Sequence, residues 1–129
     1  MMKTDMQRDR PKHLNLLKIH LPVTGVVSII HRITGVLMIL CIPFCAFLLQ
    51  YSLQNESAFN ATLDLFNDLS VRLFFGLALW SVAHHFLAGI RYLLFDIDIG
   101  VAKASARRAA WIIVCGDVVV LATILWWLL

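Results

Sequence analysis

The sequence predicts an all-α membrane protein with three transmembrane helices, on three observations. Of its 129 residues 60% are hydrophobic and only 15% are charged, too little polar material to cover a water-soluble domain. Three apolar stretches, at about 23–49, 71–95 and 109–129, each reach the roughly 20 residues that a helix rising about 1.5 Å per residue needs to cross about 30 Å of hydrocarbon. The connections between them are short and polar: 50–70 carries Glu56, Asp64 and Asp68, and 96–108 carries Lys103, Arg107 and Arg108. The chain thus divides into an N-terminal cytoplasmic or interfacial segment, 1–22, and a three-helix transmembrane domain, 23–129.

Taken in order, residues 1–22 are polar and basic, punctuated by Pro11 and Pro22. The spacing of Leu14, Leu17 and Leu21 suggests a short helical turn lying on the membrane surface. Span one contains Pro43, which removes a backbone donor and predicts a local bend that neighbouring helices make tolerable. Glycines 25, 35, 76, 89 and 116 allow close approach of another helix or a flat ligand. Span three ends in Trp126 and Trp127, residues suited to the membrane interface. Its one ionisable group, Asp117, is expected to face another helix or water, because a bare carboxylate in hydrocarbon is costly. The three cysteines, all inside spans and without a CxxC pattern, read as small apolar fillers.

The net charge of +3 does not point to nucleic acid, since the basic residues flank the spans and do not line an exposed face. They are topological signals. Lys3, Arg8, Arg10, Lys12 and Lys18 precede span one and Lys103, Arg107 and Arg108 precede span three, whereas the loop after span one has neither Lys nor Arg. The positive-inside bias then predicts a cytoplasmic N-terminus and a periplasmic C-terminus. About 20 polar residues before the first span argue for an anchor and against a cleaved leader. Asp5 and Asp9 argue against a mitochondrial transit peptide, so a bacterial cytoplasmic membrane is expected.

Ionisable residues inside a bilayer mark function by default. On span one Ser28, His31, Arg32 and Gly35 share a face over two turns, and on span two helical arithmetic separates two rows. His85, Gly89, Tyr92 and Asp96 form one; His84, Ala88, Arg91 and Phe95 form the other, rotated by about 100°. An imidazole at His85 followed one turn later by a glycine suits axial ligation of a haem, whose propionates would meet His31, Arg32 and Arg91. Spacing alone equally allows a histidine that hydrogen-bonds another helix.

Three stretches together carry a family resemblance: Arg10-Pro11, the run Ser28-Ile-Ile-His31-Arg32-Ile-Thr34-Gly35, and the run His85-Phe-Leu-Ala-Gly89-Ile-Arg91-Tyr92-Leu-Leu-Phe-Asp96. In their order and separation, over nearly the whole chain, they resemble the cytochrome b subunits of succinate dehydrogenase. The resemblance implies the larger of two small membrane anchors. With the second anchor it would form a transmembrane bundle that carries a flavoprotein and an iron-sulfur protein. It implies one haem b shared between the anchors with His85 as this chain's axial ligand, His31, Arg32, Arg91 and Tyr92 around the propionates, and Asp96 as a structural or proton-path residue. It also implies a quinone site at Ser28 and Arg32 for ubiquinone or menaquinone, and electron delivery to it in the tricarboxylic acid cycle and respiratory chain. The chain departs from the pattern in two places: Tyr92 stands where relatives often have His, and Asp98 where a small residue is usual.

The dicarboxylate chemistry would lie on another subunit, since no Gly-rich nucleotide loop or four-Cys set exists here. The competing readings are a purely structural anchor without haem and a small transporter or channel subunit whose His and Arg line a pore.

Overall fold

A computed structural model describes residues 21–128 and places in them four helices and no strands: α1 (Val23–Ser52), α2 (Glu56–Leu65), α3 (Leu69–Asp96) and α4 (Lys103–Leu128). The expected surface turn over 14–21 lies outside the described residues except at its last position. Three of the helices, α1, α3 and α4, are long and apolar enough to span a membrane, and the chain is a multi-pass membrane protein. Each exceeds its apolar stretch by a few residues, because hydropathy marks the part matched to hydrocarbon and not the ends of the hydrogen-bonded helix. α1 continues without interruption through Pro43.

The connection 50–70, expected to be a plain polar linker, folds into α2. Asn55 caps it, its side-chain oxygen accepting the Ala58 N–H at 2.9 Å, and Glu56 complements the dipole in the first turn. Only Ala58 of this helix is buried. Asp68 then caps α3 by accepting from the Ser70 N–H at 2.7 Å and from the Ser70 hydroxyl. These bonds to the ionised form hold its carboxyl below the ordinary carboxylate range.

α3 ends in a six-to-one, five-to-two pattern. The Ile99 N–H donates to Leu94 O at 2.9 Å and the Asp98 N–H to Phe95 O at 3.0 Å, with Asp98 in the left-handed region at φ 60°. This is the helix-terminating motif that normally takes glycine at that position, which accounts for the unusual residue there. Aspartate is among the side chains that tolerate the conformation, and Gly100, at φ 81°, completes the reversal into α4.

Packing is inverted relative to a soluble bundle. Ile39, Leu40, Phe47, Phe86, Ile112 and Trp126 are more than 60% exposed, while the interior holds small or polar residues: Thr34, Ser81, His84, Ala88, Ala110 and Asp117. Small residues let helices approach where lipid provides no hydrophobic drive, and polar ones join them by hydrogen bonds. The apolar core proper is Val27, Ala88, Ala110 and Ile113, at the junction of α1, α3 and α4.

Candidate functional site

The two histidines in sequence on α3 are handled in opposite ways. His84 is fully buried, its Nδ1 donating to Asp117 Oδ2 on α4 at 2.8 Å and its Nε2 facing Val27 O on α1 at 3.4 Å. Both nitrogens are thereby engaged, and three helices are tied at one residue. Asp117 faces a helix, as expected of it, and its Oδ1 has no partner among the described residues.

His85, about 100° around the helix, points into the seam with α1 and is half-buried. Its Nδ1 lies 3.1 Å from His31 O and 3.4 Å from Thr34 Oγ1, and the Thr34 hydroxyl itself donates to His31 O at 2.9 Å. A carbonyl only accepts, so Nδ1 carries a proton, and in the neutral ring Nε2 then keeps its lone pair. That is the tautomer of a metal-ligating imidazole oriented through its other nitrogen.

The His31 ring stacks on His85, with centroids 4.1 Å apart and planes at 15°. The stack places the two at like depth because α1 and α3 are antiparallel, with His31 eight residues from the start of α1 and His85 eleven from the end of α3. Stacking covers a ring face and leaves the in-plane Nε2 lone pair of His85 clear. Tyr92 joins the cluster, its ring 5.1 Å from that of His31. Both His31 Nε2 and the Tyr92 hydroxyl are buried without a partner among the described residues.

The close approach that admits this stack is made by Gly35 more than by Gly89. A Cβ on Gly35 would stand 3.0 Å from His85 Cε1, whereas one on Gly89 would meet His31 Nε2 at an ordinary 3.8 Å. The space beside Gly89 is thus shared with the His31 ring.

Other residues singled out in the sequence are distributed around this seam. Ser28, half-buried, and Arg32, exposed, stand one turn apart at the open edge of α1, neither with a hydrogen bond among the described residues. Asp96 is exposed at the last turn of α3. Arg91 was expected beside His31 and Arg32. It is instead 6% exposed, its guanidinium carbon 4.6 Å over the Phe95 ring and 5.3 Å from the Tyr92 ring, and it lines a cavity with residues of α4 and the start of α1. Sequence reasoning missed the His84–Asp117 pair and Thr34; a carboxylate and a histidine on separate spans were the only signal for the first.

Haem b fits these residues on three counts. His85 presents an Nε2 with no hydrogen bond among the described residues, the ring is seated in a cradle that a Cβ at Gly35 would fill, and two polar atoms of the same cluster, His31 Nε2 and the Tyr92 hydroxyl, are buried without partners among the described residues.

Comparison with known proteins gives the family. Residues 6–124 match the family described as succinate dehydrogenase/fumarate reductase transmembrane subunit. The chain is similar to the succinate dehydrogenase cytochrome b556 subunit of Coxiella burnetii, 31% identical over 107 residues, 82% of this chain and 86% of that one. The subunit of that name from Paracoccus denitrificans is 28% identical over 116 residues, 86% and 85% of the two chains. That of Rickettsia felis is 27% identical over 128 residues, 97% and 96%.

Proposed function

Because this chain belongs to the succinate dehydrogenase/fumarate reductase transmembrane-subunit family, we propose that it is the haem b-bearing, quinone-binding anchor that receives electrons from an iron-sulfur subunit and delivers them to quinone. The observation that carries this reading is His85: its Nδ1–H is held by His31 O at 3.1 Å, and its Nε2 is left for iron. When bound, haem b supplies a one-electron carrier inside the membrane. From this chain His85 would hold it through Nε2, and a second small anchor would supply a second imidazole. Its propionates would be met by His31, Tyr92 and Arg32, of which the first two carry buried polar atoms without partners among the described residues.

Quinone is reduced at Ser28 and Arg32. Two electrons and two protons convert quinone to quinol, so negative charge develops on its carbonyl oxygens and must be stabilised as protons arrive. The Ser28 hydroxyl donates a hydrogen bond to one carbonyl, and the Arg32 guanidinium, exposed one turn away, supplies positive charge. Asp96, exposed at the end of α3, can hold a proton on the path from water. Ubiquinone and menaquinone both meet these demands.

The complex sits in a bacterial cytoplasmic membrane with the N-terminus of this chain inside and its C-terminus in the periplasm. The flavoprotein that handles the dicarboxylate docks through the iron-sulfur subunit on the inner face. A reduced-minus-oxidised visible spectrum of the complex purified in mild detergent tests the reading. A b-type band at one haem per copy of this chain is expected. A complex that assembles and turns over without such a band would leave a structural anchor in its place.

A further inference from the structure

We infer that the cavity between the starts of α1 and α4 and the last turns of α3 is a binding site for the phosphodiester headgroup of an anionic membrane phospholipid. Its volume is about 620 Å³ and its walls bring together three cations, Arg91, Lys103 and Arg107, with Thr24 and Trp111 and, among the described residues, no acidic residue. Arg91 is the strongest indication. It is more than nine-tenths buried, and its Nε and Nη1 have no hydrogen-bond partner among the described residues. A guanidinium withdrawn from water without an anion is costly, and its planar fork matches a phosphate.

The backbone points the same way. α1 begins at Val23 and α4 at Lys103, both residues lining the cavity, and neither helix has an acidic residue in its first turn. Among the described residues no side chain caps α1. Two long helices therefore direct the positive ends of their dipoles at the same space.

The mouth of the cavity distinguishes a lipid from a free anion. The cavity lies at the ends of three spanning helices, the depth of the headgroups, and Trp111 is 51% exposed beside it. From Trp111 an exposed stripe at helical spacing, Cys115, Val118, Ala122 and Leu125, runs down the outside of α4 and gives an acyl chain a continuous apolar track. Inorganic phosphate would satisfy the cations and leave that track unused. Basic pockets between spanning helices near the membrane surface are suited to anionic lipid headgroups.

The test uses the complex purified from its membranes in mild detergent, with lipids retained through extensive washing quantified by mass spectrometry. Wild type should retain phosphatidylglycerol or another anionic phospholipid in stoichiometric amount. Lys103→Gln/Arg107→Gln should lower that retention about tenfold or more, while Arg108→Gln, which removes a charge from the same segment but not from the cavity, should leave it unchanged. Equal retention by wild type and the double variant overturns the site. As a second measurement that needs no variant, the delipidated wild-type complex is titrated with phosphatidylglycerol, with phosphatidylcholine and with millimolar inorganic phosphate. A saturable rise in thermal stability with phosphatidylglycerol alone supports the inference. The same rise with phosphatidylcholine or with phosphate overturns it, as does a zero-length carbodiimide link from Lys103 to a protein carboxylate in the intact complex, which would identify a protein group as the occupant.

Discussion

The face of α3 toward α4 and its face toward α1 are built from adjacent residues and behave differently. Toward α4, His84 is closed off, with Asp117 on α4 at one nitrogen and Val27 O of α1 at the other, and Ala88 beside it is fully buried. Toward α1, His85 is half-open, with one nitrogen bonded and the other, among the described residues, not, and its neighbours His31 and Tyr92 keep buried polar atoms without partners there. A polar group in a membrane interior that has found its partners holds helices together. One that is oriented but unfinished is prepared for something the chain does not itself contain. The difference separates a structural histidine from a ligand in a dipeptide where residue type cannot.

That contrast can be broken from the closed side first. His84→Ala leaves Asp117 buried without its partner and should lower the stability of the assembled complex by about 2–4 kcal/mol, between the 1–2 of an interhelical hydrogen bond in lipid and the 3–5 of an orphaned buried charge. The double variant His84→Leu/Asp117→Leu should recover most of that loss. Thermal melts in detergent, followed by the loss of co-purifying subunits, measure both, and a double variant no better than the single would show that the pair is not the tie.

On the open side the effects should appear in turnover. Arg32→Leu and Ser28→Ala should each lower quinone reductase activity about tenfold, near 1.4 kcal/mol of transition-state stabilisation. Oxidation of succinate with a soluble artificial acceptor should persist in both. Quinone reduction at the wild-type rate and apparent affinity in the assembled variants would remove the pair from the site.

Smaller still, Gly35→Ala adds a Cβ 3.0 Å from His85 Cε1 and should shift or broaden the haem band, with stability held within about 1 kcal/mol because alanine is the better helix former. Gly76→Ala, whose Cβ would stand 2.9 Å from Ile124 Cγ2 on the α4 side, should affect stability and leave the spectrum alone. The smallest expected change is remote from both faces. Asp98→Gly relieves a left-handed residue at φ 60° and should stabilise by roughly 0.5–1 kcal/mol in the same thermal melt.

Much of this was legible in the sequence because a bilayer constrains a chain more than water does. Length and hydropathy sufficed for the three spans, and period-3.6 arithmetic separated His84, Ala88 and Arg91 from His85, Gly89 and Tyr92, the division on which the site turns. Which row faces which helix was not legible, since that depends on how α1 and α4 settle around α3. The His84–Asp117 bond joins residues 33 apart and exists only in the packed bundle. α2 was missed because hydropathy is blind to a short polar helix, although Asn55 followed by Glu56 was an available capping signal. Arg91 was grouped with Arg32 by charge and depth, while the structure sets it in the cavity with Lys103 and Arg107.

The assignment of His85 as ligand and His84 as brace is tested most directly by electron paramagnetic resonance of the oxidised complex carrying His85→Gly or His84→Ala. His85→Gly should lose the low-spin haem signal and regain it when imidazole is added to fill the vacated position, while His84→Ala should keep a low-spin signal in whatever fraction remains assembled. A low-spin signal retained by His85→Gly without imidazole, or lost from an assembled His84→Ala complex and restored there by imidazole, would contradict it.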